Sequence, residues 1–146
     1  MNEIIKISME KEEISKAYEI ENYVLSLPQI KISTHHTLHG GMYTRTFLIP
    51  AGVLVTGALI KIPTILIISG EMLLYGLNEP RHLVGYHVLY GQANRKQVGY
   101  AIKDTFASMI FPTKANTVKE AEEEFTDEAE FLFSRNENAI NFIERG

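Results

Sequence analysis

Three histidines lie within five positions of the stretch "HHTLHGG", where they could bind a metal ion. His35 and His36 are adjacent, so on a strand their side chains would face opposite sides. His36 and His39 are three positions apart and would share a face only on a helix, but the two glycines after His39 favour a turn. The stretch also contains no carboxylate to complete a set of two histidines and one carboxylate. The pattern therefore argues against a metal site, and we expect His35 and His39 to be exposed and His36 to lie at the start or rim of a strand.

Tyr43 and Arg45 are two positions apart and would share one face of a strand. If that face lines a barrel, the phenol and the guanidinium could bind a phosphate or a carboxylate. If the strand lies at a sheet edge, the same two side chains pack on the surface. Tyr100 could stack against a flat ligand or serve as a half-buried packing residue. The sequence leaves these alternatives open.

Hydrophobic patterning divides the chain into three parts. Residues 10–27 are amphipathic and end before Pro28, which predicts an N-terminal helix. Residues 29–113 contain short β-branched or aromatic runs separated by turn residues, which indicates a β-sandwich or barrel. Helical patterning returns over residues 117–146. The prediction is one mainly β domain with a helix on each side.

The C-terminal helical segment begins with a capping box, "TVKE". The Thr117 hydroxyl and the Glu120 carboxylate can each satisfy an unpaired backbone amide there. The acidic residues that follow are interpreted as a solvated helical face, with Phe125, Phe131 and Phe133 packed inward or used in a dimer.

The bulk properties restrict the function classes. A length of 146 residues suits one core, and a net charge of −4 disfavours a nucleic-acid partner. The absence of cysteine excludes disulfides and thiolate metal sites. The first residues are too charged for a signal peptide, and the apolar stretch 52–70 is interrupted by Lys61, Pro63 and three glycines. We expect a cytoplasmic protein with no membrane partner.

A longer pattern begins at the histidines. In order, it reads "H-x-L-x-x-G-x-Y-x-R" (36–45), "IPAG" (49–52), "VTGALIK" (55–61), "GYAIKDT" (99–105) and "FPT" (111–113). Over about residues 35–125 this order resembles a cupin-like family common in bacteriophage genomes. The resemblance implies a jelly-roll barrel (a double-stranded β-helix), two antiparallel sheets around a pocket, in agreement with the strand-rich centre.

The resemblance also implies metal-ligand positions, and this chain departs from them. Ile60 and Thr64 stand where two histidines are implied, and Phe111 stands where a late histidine is implied. Isoleucine and phenylalanine cannot bind a metal, and a threonine hydroxyl is a poor replacement for imidazole. We therefore expect no metal and no other cofactor.

These observations predict a non-catalytic, metal-free cupin-like protein that binds or sequesters a small anionic, nucleotide-like ligand. The resemblance implies a phage-encoded protein that removes such a signal from the host cytoplasm. The predicted ligand-binding residues are His36, Tyr43, Arg45, Thr64 and Tyr100.

Two alternatives come from other classes of protein. One is a cupin enzyme acting on a sugar or a small organic acid, and the other is a structural or assembly protein of a virus particle. A fold alone cannot decide between them. We also expect self-association, as a homodimer or a larger assembly, through sheet edges or helices.

Overall fold

The computed structural model describes residues 4–76 and 79–146, so residues 1–3 and 77–78 of the predicted domain lie outside the described residues. The strands are β1 (Ile5–Ile7), β2 (Thr34–His39), β3 (Met42–Ile49), β4 (Leu54–Thr56), β5 (Thr64–Tyr75), β6 (Arg81–Gly91), β7 (Val98–Ala101), β8 (Thr105–Pro112) and β9 (Asn141–Arg145). The helices are α1 (Lys11–Val24) and α2 (Val118–Phe125). The mainly β architecture with flanking helices is confirmed.

The strands form one sheet that branches at β5. Its main path has the order β1-β6-β5-β8-β3-β2-β9, and β7 joins β4 to the second half of β5. Neighbours are antiparallel except at the two ends, where β1 lies parallel to β6 and β9 lies parallel to β2. Because side chains alternate along a strand, one face of this path carries the buried residues and the other faces outward.

Gly70 lies at the point where β5 changes partner. Residues 65–69 pair with β8, and residues 72–75 pair with β7. The backbone of Gly70 has φ 147°, and a Cβ atom there would lie 2.6 Å from the carbonyl oxygen of Asp104. Only glycine allows so close an approach in this conformation. The bend lets one long strand contribute to both walls around the interior.

The hydrophobic core lies on the inner face of the sheet. Tyr43 and Ile49 of β3 are almost completely buried, as is Leu89 of β6. Other buried apolar residues are Leu38, Val53, Leu66, Ile68, Met72, Leu83, Ala101, Met109 and Phe111. Polar residues of β2 and β3 also face inward, including His36 and Arg45. The sheet therefore encloses a mixed interior, apolar at its centre and polar on one side.

Helix α1 agrees with the sequence-based prediction for residues 10–27. Glu10 and Glu13 form a reciprocal capping box at its start, which satisfies two backbone amides. Tyr18, on the side of the helix that faces the barrel, donates hydrogen bonds to the carboxylate of Glu128 at 3.0 Å. No helix among the described residues is long and apolar enough to cross a membrane.

The C-terminal segment is helical over a much shorter range than predicted. The Thr117 cap is confirmed, since its hydroxyl accepts a hydrogen bond from the Glu120 amide at 3.1 Å, but α2 ends at Phe125. Two short 3-10 turns follow, and residues 141–145 form β9. The prediction of a helical segment to residue 146 is wrong because the open edge of β2 offers backbone partners to β9, which a local helical pattern does not reveal.

Candidate functional site

The inner face of the barrel contains a cavity of about 210 Å³. Strands β3, β5 and β8 each contribute to its walls, because alternate side chains of these strands point inward. The apolar lining from these strands comprises Phe47, Ile49, Leu66, Ile68, Met72, Leu74, Ala107 and Met109. The segment that follows α2 borders one side with Leu132 and Phe133, and with Phe131, which is 77% exposed. The cavity is therefore largely apolar.

Arg45 is the charged side chain on the β3 wall of the cavity. It is 4% exposed, and its Nη1 donates to Glu122 Oε2 at 2.9 Å. Its Nη2 donates to the hydroxyl of Ser134 at 3.0 Å. The guanidinium also lies 5.5 Å from the ring centres of both Phe125 and Phe133, within the range of cation–π attraction. The C-terminal segment thus balances the charge of Arg45 and packs around it.

Glu122 is the acid that makes this arrangement stable. Burial alone would raise the pKa of Glu122, but hydrogen bonds from Ser134, Arg135 and Arg45 outweigh burial, and the pKa is lowered. The Arg135 Nε donates to Glu122 Oε1 at 2.8 Å, so each carboxylate oxygen accepts from one arginine. Glu122 is therefore ionised at neutral pH and links α2 to the barrel.

His36 and Tyr43 form a second buried chain of hydrogen bonds. Because Asn141 Nδ2 donates to the carbonyl oxygen of Ser134 at 2.9 Å, its Oδ1 faces His36 and accepts from His36 Nε2 at 2.7 Å. The other ring nitrogen, Nδ1, then accepts from the Tyr43 hydroxyl at 2.7 Å. Burial lowers the pKa of His36 and raises the pKa of Tyr43, so both groups are neutral at pH 7.

Lys96 occupies the other end of the cavity, where α1 meets the barrel. Its ammonium is buried and donates to Glu21 Oε2 at 2.9 Å and to the carbonyl oxygen of Gly57 at 2.8 Å. It also lies 4.4 Å from the ring centre of Tyr18. Burial and the nearby Glu128 carboxylate raise the pKa of Tyr18 to about 12. Lys96 and Glu21 therefore form an ion pair at this end, whereas Glu128 accepts hydrogen bonds from the Tyr18 hydroxyl.

Arg95 and Thr64 form a separate polar cluster outside the cavity lining. The Arg95 guanidinium is completely buried and donates to the Thr64 hydroxyl and to the carbonyl oxygens of Ile62 and Gln92. Burial lowers the pKa of Arg95 to about 10, which leaves it charged at neutral pH. This cluster joins the loop before β5 to the loop after β6.

The structure brings only one of the five predicted ligand-binding residues to the cavity. Arg45 lines it, whereas His36 and Tyr43 lie behind it with their polar atoms bonded to each other. Thr64 lies at Arg95, and Tyr100 lies on the face of β7 opposite Gly99, a lining residue. Of the two positions expected for His36, the rim is wrong, since this side chain is 1% exposed, whereas its place near the start of β2 agrees with the other. His35 and His39 are exposed as expected.

No family model and no curated sequence matches the chain. Among solved structures, it is similar to an ectoine synthase from P. lautus, with 16% identity, a TM-score of 0.49, and coverage of 68% of this chain and 76% of that chain. It is also similar to a cupin superfamily protein from Desulfitobacterium hafniense, with 14% identity, a TM-score of 0.48, and coverage of 60% and 83%.

A third similar structure is an RmlC-like cupin family protein from Methanocaldococcus jannaschii, described as a double-stranded β-helix. Its identity is 19%, its TM-score is 0.46, and 56% of this chain and 81% of that chain are covered. At these identities the likeness concerns the fold. This chain is mainly β, and the solved structures that it resembles are cupin jelly rolls. The phage origin implied by the resemblance stays a prediction.

The positions at which the resemblance implies metal ligands do not fit a metal in this cupin-like barrel. Ile60 presents hydrocarbon to the cavity, and the Thr64 hydroxyl is occupied by Arg95. Phe111 packs edge-on against the Tyr43 ring, with 5.4 Å between ring centres. Throughout residues 4–76 and 79–146, no three histidine, aspartate or glutamate side chains are grouped as a metal site requires. A metal-centred reaction has no ligand set at these positions.

Several residues around the cavity were missed by the sequence analysis. Glu122 was assigned to a solvated acidic face, yet it is 3% exposed. One signal was present: the capping box fixes the start of α2, so Glu122 and Phe125 share a face at a spacing of three. Lys96 and Ser134 carry no such signal, because only the folded chain brings them to the barrel.

Proposed function

We propose that this cupin-like protein binds a small, uncharged and mainly apolar molecule inside the barrel, without a metal and without transforming it. The observation that carries the proposal is the apolar cavity next to an arginine whose charge is already balanced. Apolar walls with few polar groups are typical of small-molecule sites, where the polar groups set orientation.

The size of the cavity supports a small ligand. An engineered cavity of about 150 Å³ accommodates benzene, and this cavity of about 210 Å³ is moderately larger. A substituted benzene or a bicyclic aromatic compound is of suitable size. A nucleotide has a base, a sugar and a phosphate, and it would fit only if the segment after α2 moved away.

The electrostatics favour a neutral hydrogen-bond acceptor over an anion. Glu122 already compensates Arg45, so an anion there would approach a carboxylate that lies 2.9 Å from the guanidinium. Among the described residues, Arg45 Nε has no acceptor, so it can donate to a carbonyl or hydroxyl oxygen of a ligand. The anionic, nucleotide-like ligand and its role as a signal removed by a phage stay predictions from the sequence.

The ionisable side chains in the cavity lining support binding over catalysis. They are Glu21, Arg45, Lys96 and Glu128. Each is engaged with a protein partner: Arg45 with Glu122, Lys96 with Glu21, and Glu128 with the Tyr18 hydroxyl. A general acid or base must be able to reach its substrate and exchange a proton with it. Groups held in these pairs are suited to shaping a binding site.

Cinnamamide and cinnamate are a suitable test, because they have the same shape and differ in charge. We expect cinnamamide to bind with a Kd below about 1 mM and cinnamate to bind at least about tenfold more weakly. Titration calorimetry measures both, with adenosine monophosphate as the nucleotide-like probe. Tighter binding of cinnamate or the nucleotide would favour the anionic ligand, and no binding of any probe would contradict a cavity-binding function.

Ala107→Leu is expected to block the cavity, because Ala107 lines it from β8 and leucine adds three carbon atoms to that wall. Binding of cinnamamide should weaken by at least about tenfold, with little loss of stability, since the added carbons enter empty space. Ala51→Leu, at an exposed turn, is the matched control and should bind as the unmodified protein does. Equal affinities for the two variants would place the ligand elsewhere.

A further inference from the structure

The outer face of the sheet is apolar and exposed over four adjacent strands, β6, β5, β8 and β3. Tyr86 is 64% exposed and Phe106 is 53% exposed. Other large exposed apolar residues on this face include Leu48, Ile65, Val84, Val88 and Tyr90. Isolated exposed apolar residues are ordinary on a protein surface, but a contiguous patch of this kind marks an interaction site.

The middle of this outer face carries no charge among the described residues. Its polar members are small, and two of them, Thr46 and Ser108, satisfy each other through a 2.7 Å hydrogen bond between their hydroxyls. The backbone groups of β5 and β8 are used within the sheet. The middle of the patch therefore offers a partner mainly apolar contact, which disfavours nucleic acids and charged peptides.

Within one row that crosses the sheet, charged residues lie only at the two ends. Elsewhere on this face, Glu71 pairs with Val84 at the margin of the patch, and its carboxylate contacts His82 and Lys103. From strand to strand, the paired residues of this row are Lys6, Tyr90, Ile65, Ile110, Thr44, Thr37 and Glu144. Lys6 and Glu144 are exposed and have opposite charge. Ile110, on β8, is the central member of the seven. The row is thus self-complementary if a second copy lies over it with the two ends exchanged.

We propose that two copies of this chain pack outer face against outer face, around a two-fold axis that runs along β8. This arrangement places Lys6 of one copy over Glu144 of the other, and Tyr90 over Thr37, so large side chains meet small ones. Phe106 and Ser108 of β8 lie at the axis and face their own counterparts. An isologous contact of this kind closes as a dimer.

The size of the outer face suits a dimer. Seven of its large apolar side chains are between 39% and 64% exposed. A standard interface buries about 800 Å² on each partner, with an apolar centre and a polar rim. The hydroxyl residues and the charged ends of the row supply such a rim. The contact uses a sheet face, whereas the sequence had suggested edges or helices. The side chains that line the cavity from β3 and β5 lie on the opposite, inner face of the sheet.

Sedimentation of the full chain tests the contact. We expect a dimer at micromolar concentration, and we expect Phe106→Glu to raise its dissociation constant by at least about 100-fold, because two carboxylates would face each other in an apolar centre. Tyr23→Glu is the control: Tyr23 is 68% exposed on α1, away from this face, and the variant should remain dimeric. A monomeric unmodified protein, or a Phe106→Glu variant that dimerises as before, would overturn the proposal.

Two further measurements test the orientation. Lys6→Glu and Glu144→Lys should each weaken the dimer about fivefold, and the double variant should restore it, since exposed ion pairs contribute little individually. Because the chain has no cysteine, Ser108→Cys introduces a single thiol at the axis, about 10 Å from its counterpart across facing sheets. A short bis-maleimide should link it to the partner copy and should not link Tyr23→Cys. A dimer whose affinity the double variant does not restore, and which the reagent does not cross-link, would contradict this arrangement. A monomer that binds lipid vesicles through this face would also contradict it.

Discussion

Replacing Glu122 with glutamine is expected to lower the free energy of unfolding by about 3–5 kcal/mol, the usual effect of leaving a buried charge without its partner. Arg45 is 4% exposed, and Glu122 is its only acidic partner among the described residues. Each kcal/mol lowers the melting temperature of a domain near this size by about 2–4 °C, so the melting temperature should fall by roughly 6–20 °C. Urea denaturation and thermal melting measure both quantities.

Two comparisons distinguish this effect from a general loss of packing. Glu123→Gln removes a neighbouring carboxylate that is exposed and 3.6 Å from Arg135, so we expect a change below about 1 kcal/mol. Arg45→Met should be less harmful than Glu122→Gln, because Glu122 keeps Arg135 as a partner. Similar losses in all three variants would show that the buried pair has no special role.

Glu122 also makes the free energy of unfolding depend on pH. The pKa of Glu122 is lower in the folded protein than in the unfolded chain, so its contribution is fully present above about pH 4.5 and is lost as the pH falls through the folded pKa. His36 acts at higher pH: its folded pKa is below 6.5, so the unfolded chain takes up this proton first, and stability begins to fall below about pH 6.5. Glu122→Gln should remove only the more acidic part of this dependence.

Gly70→Ala is expected to lower the free energy of unfolding by about 2–5 kcal/mol, because backbone strain and a steric clash both contribute. The new Cβ would lie 2.6 Å from the carbonyl oxygen of Asp104 and 2.7 Å from the Cα of Thr105. Both are backbone atoms of the neighbouring chain segment, so neither can move without disturbing the start of β8. Urea denaturation measures the loss.

Gly85→Ala is the matched control for this substitution. Gly85 pairs directly with Gly70 across β5 and β6, and it also has a positive φ, 87°. No atom lies within 4 Å of the Cβ position at Gly85, so only the conformational strain remains, about 1–2 kcal/mol. Equal losses in the two variants would mean that the clash at the β5 bend is relieved by a small shift.

Local patterns predicted most of the individual elements. The amphipathic run ending before Pro28 predicted α1, and "TVKE" predicted the start of α2, because capping and periodicity act within a few residues. The short β-branched runs predicted the strand-rich centre for the same reason. The pattern failed after Phe125, where β9 forms through pairing with β2, a partner about 100 residues earlier in the chain.

The candidate site was only partly predictable. The alternation of β3 indicated that Tyr43 and Arg45 share a face, and the structure places both on the inner face. Which of them borders the cavity depends on distant groups: Phe111 and Phe125 cover Tyr43, and Glu122 engages Arg45 from 77 positions away. Strand alternation and helix periodicity relate residues only a few positions apart, so they cannot predict contacts between such distant residues.

The sequence by itself determined the mainly β architecture, the flanking helices and the absence of histidines at the positions where the resemblance implies metal ligands, since all three depend on residue type and local spacing. Only the tertiary structure decided the charge state of the site. A free Arg45 would favour an anionic ligand, whereas an Arg45 paired with Glu122 favours a neutral hydrogen-bond acceptor. Because a buried charge must be compensated, this pairing determines which ligand the site favours. The row from Lys6 to Glu144 likewise exists only once seven strands are aligned in register.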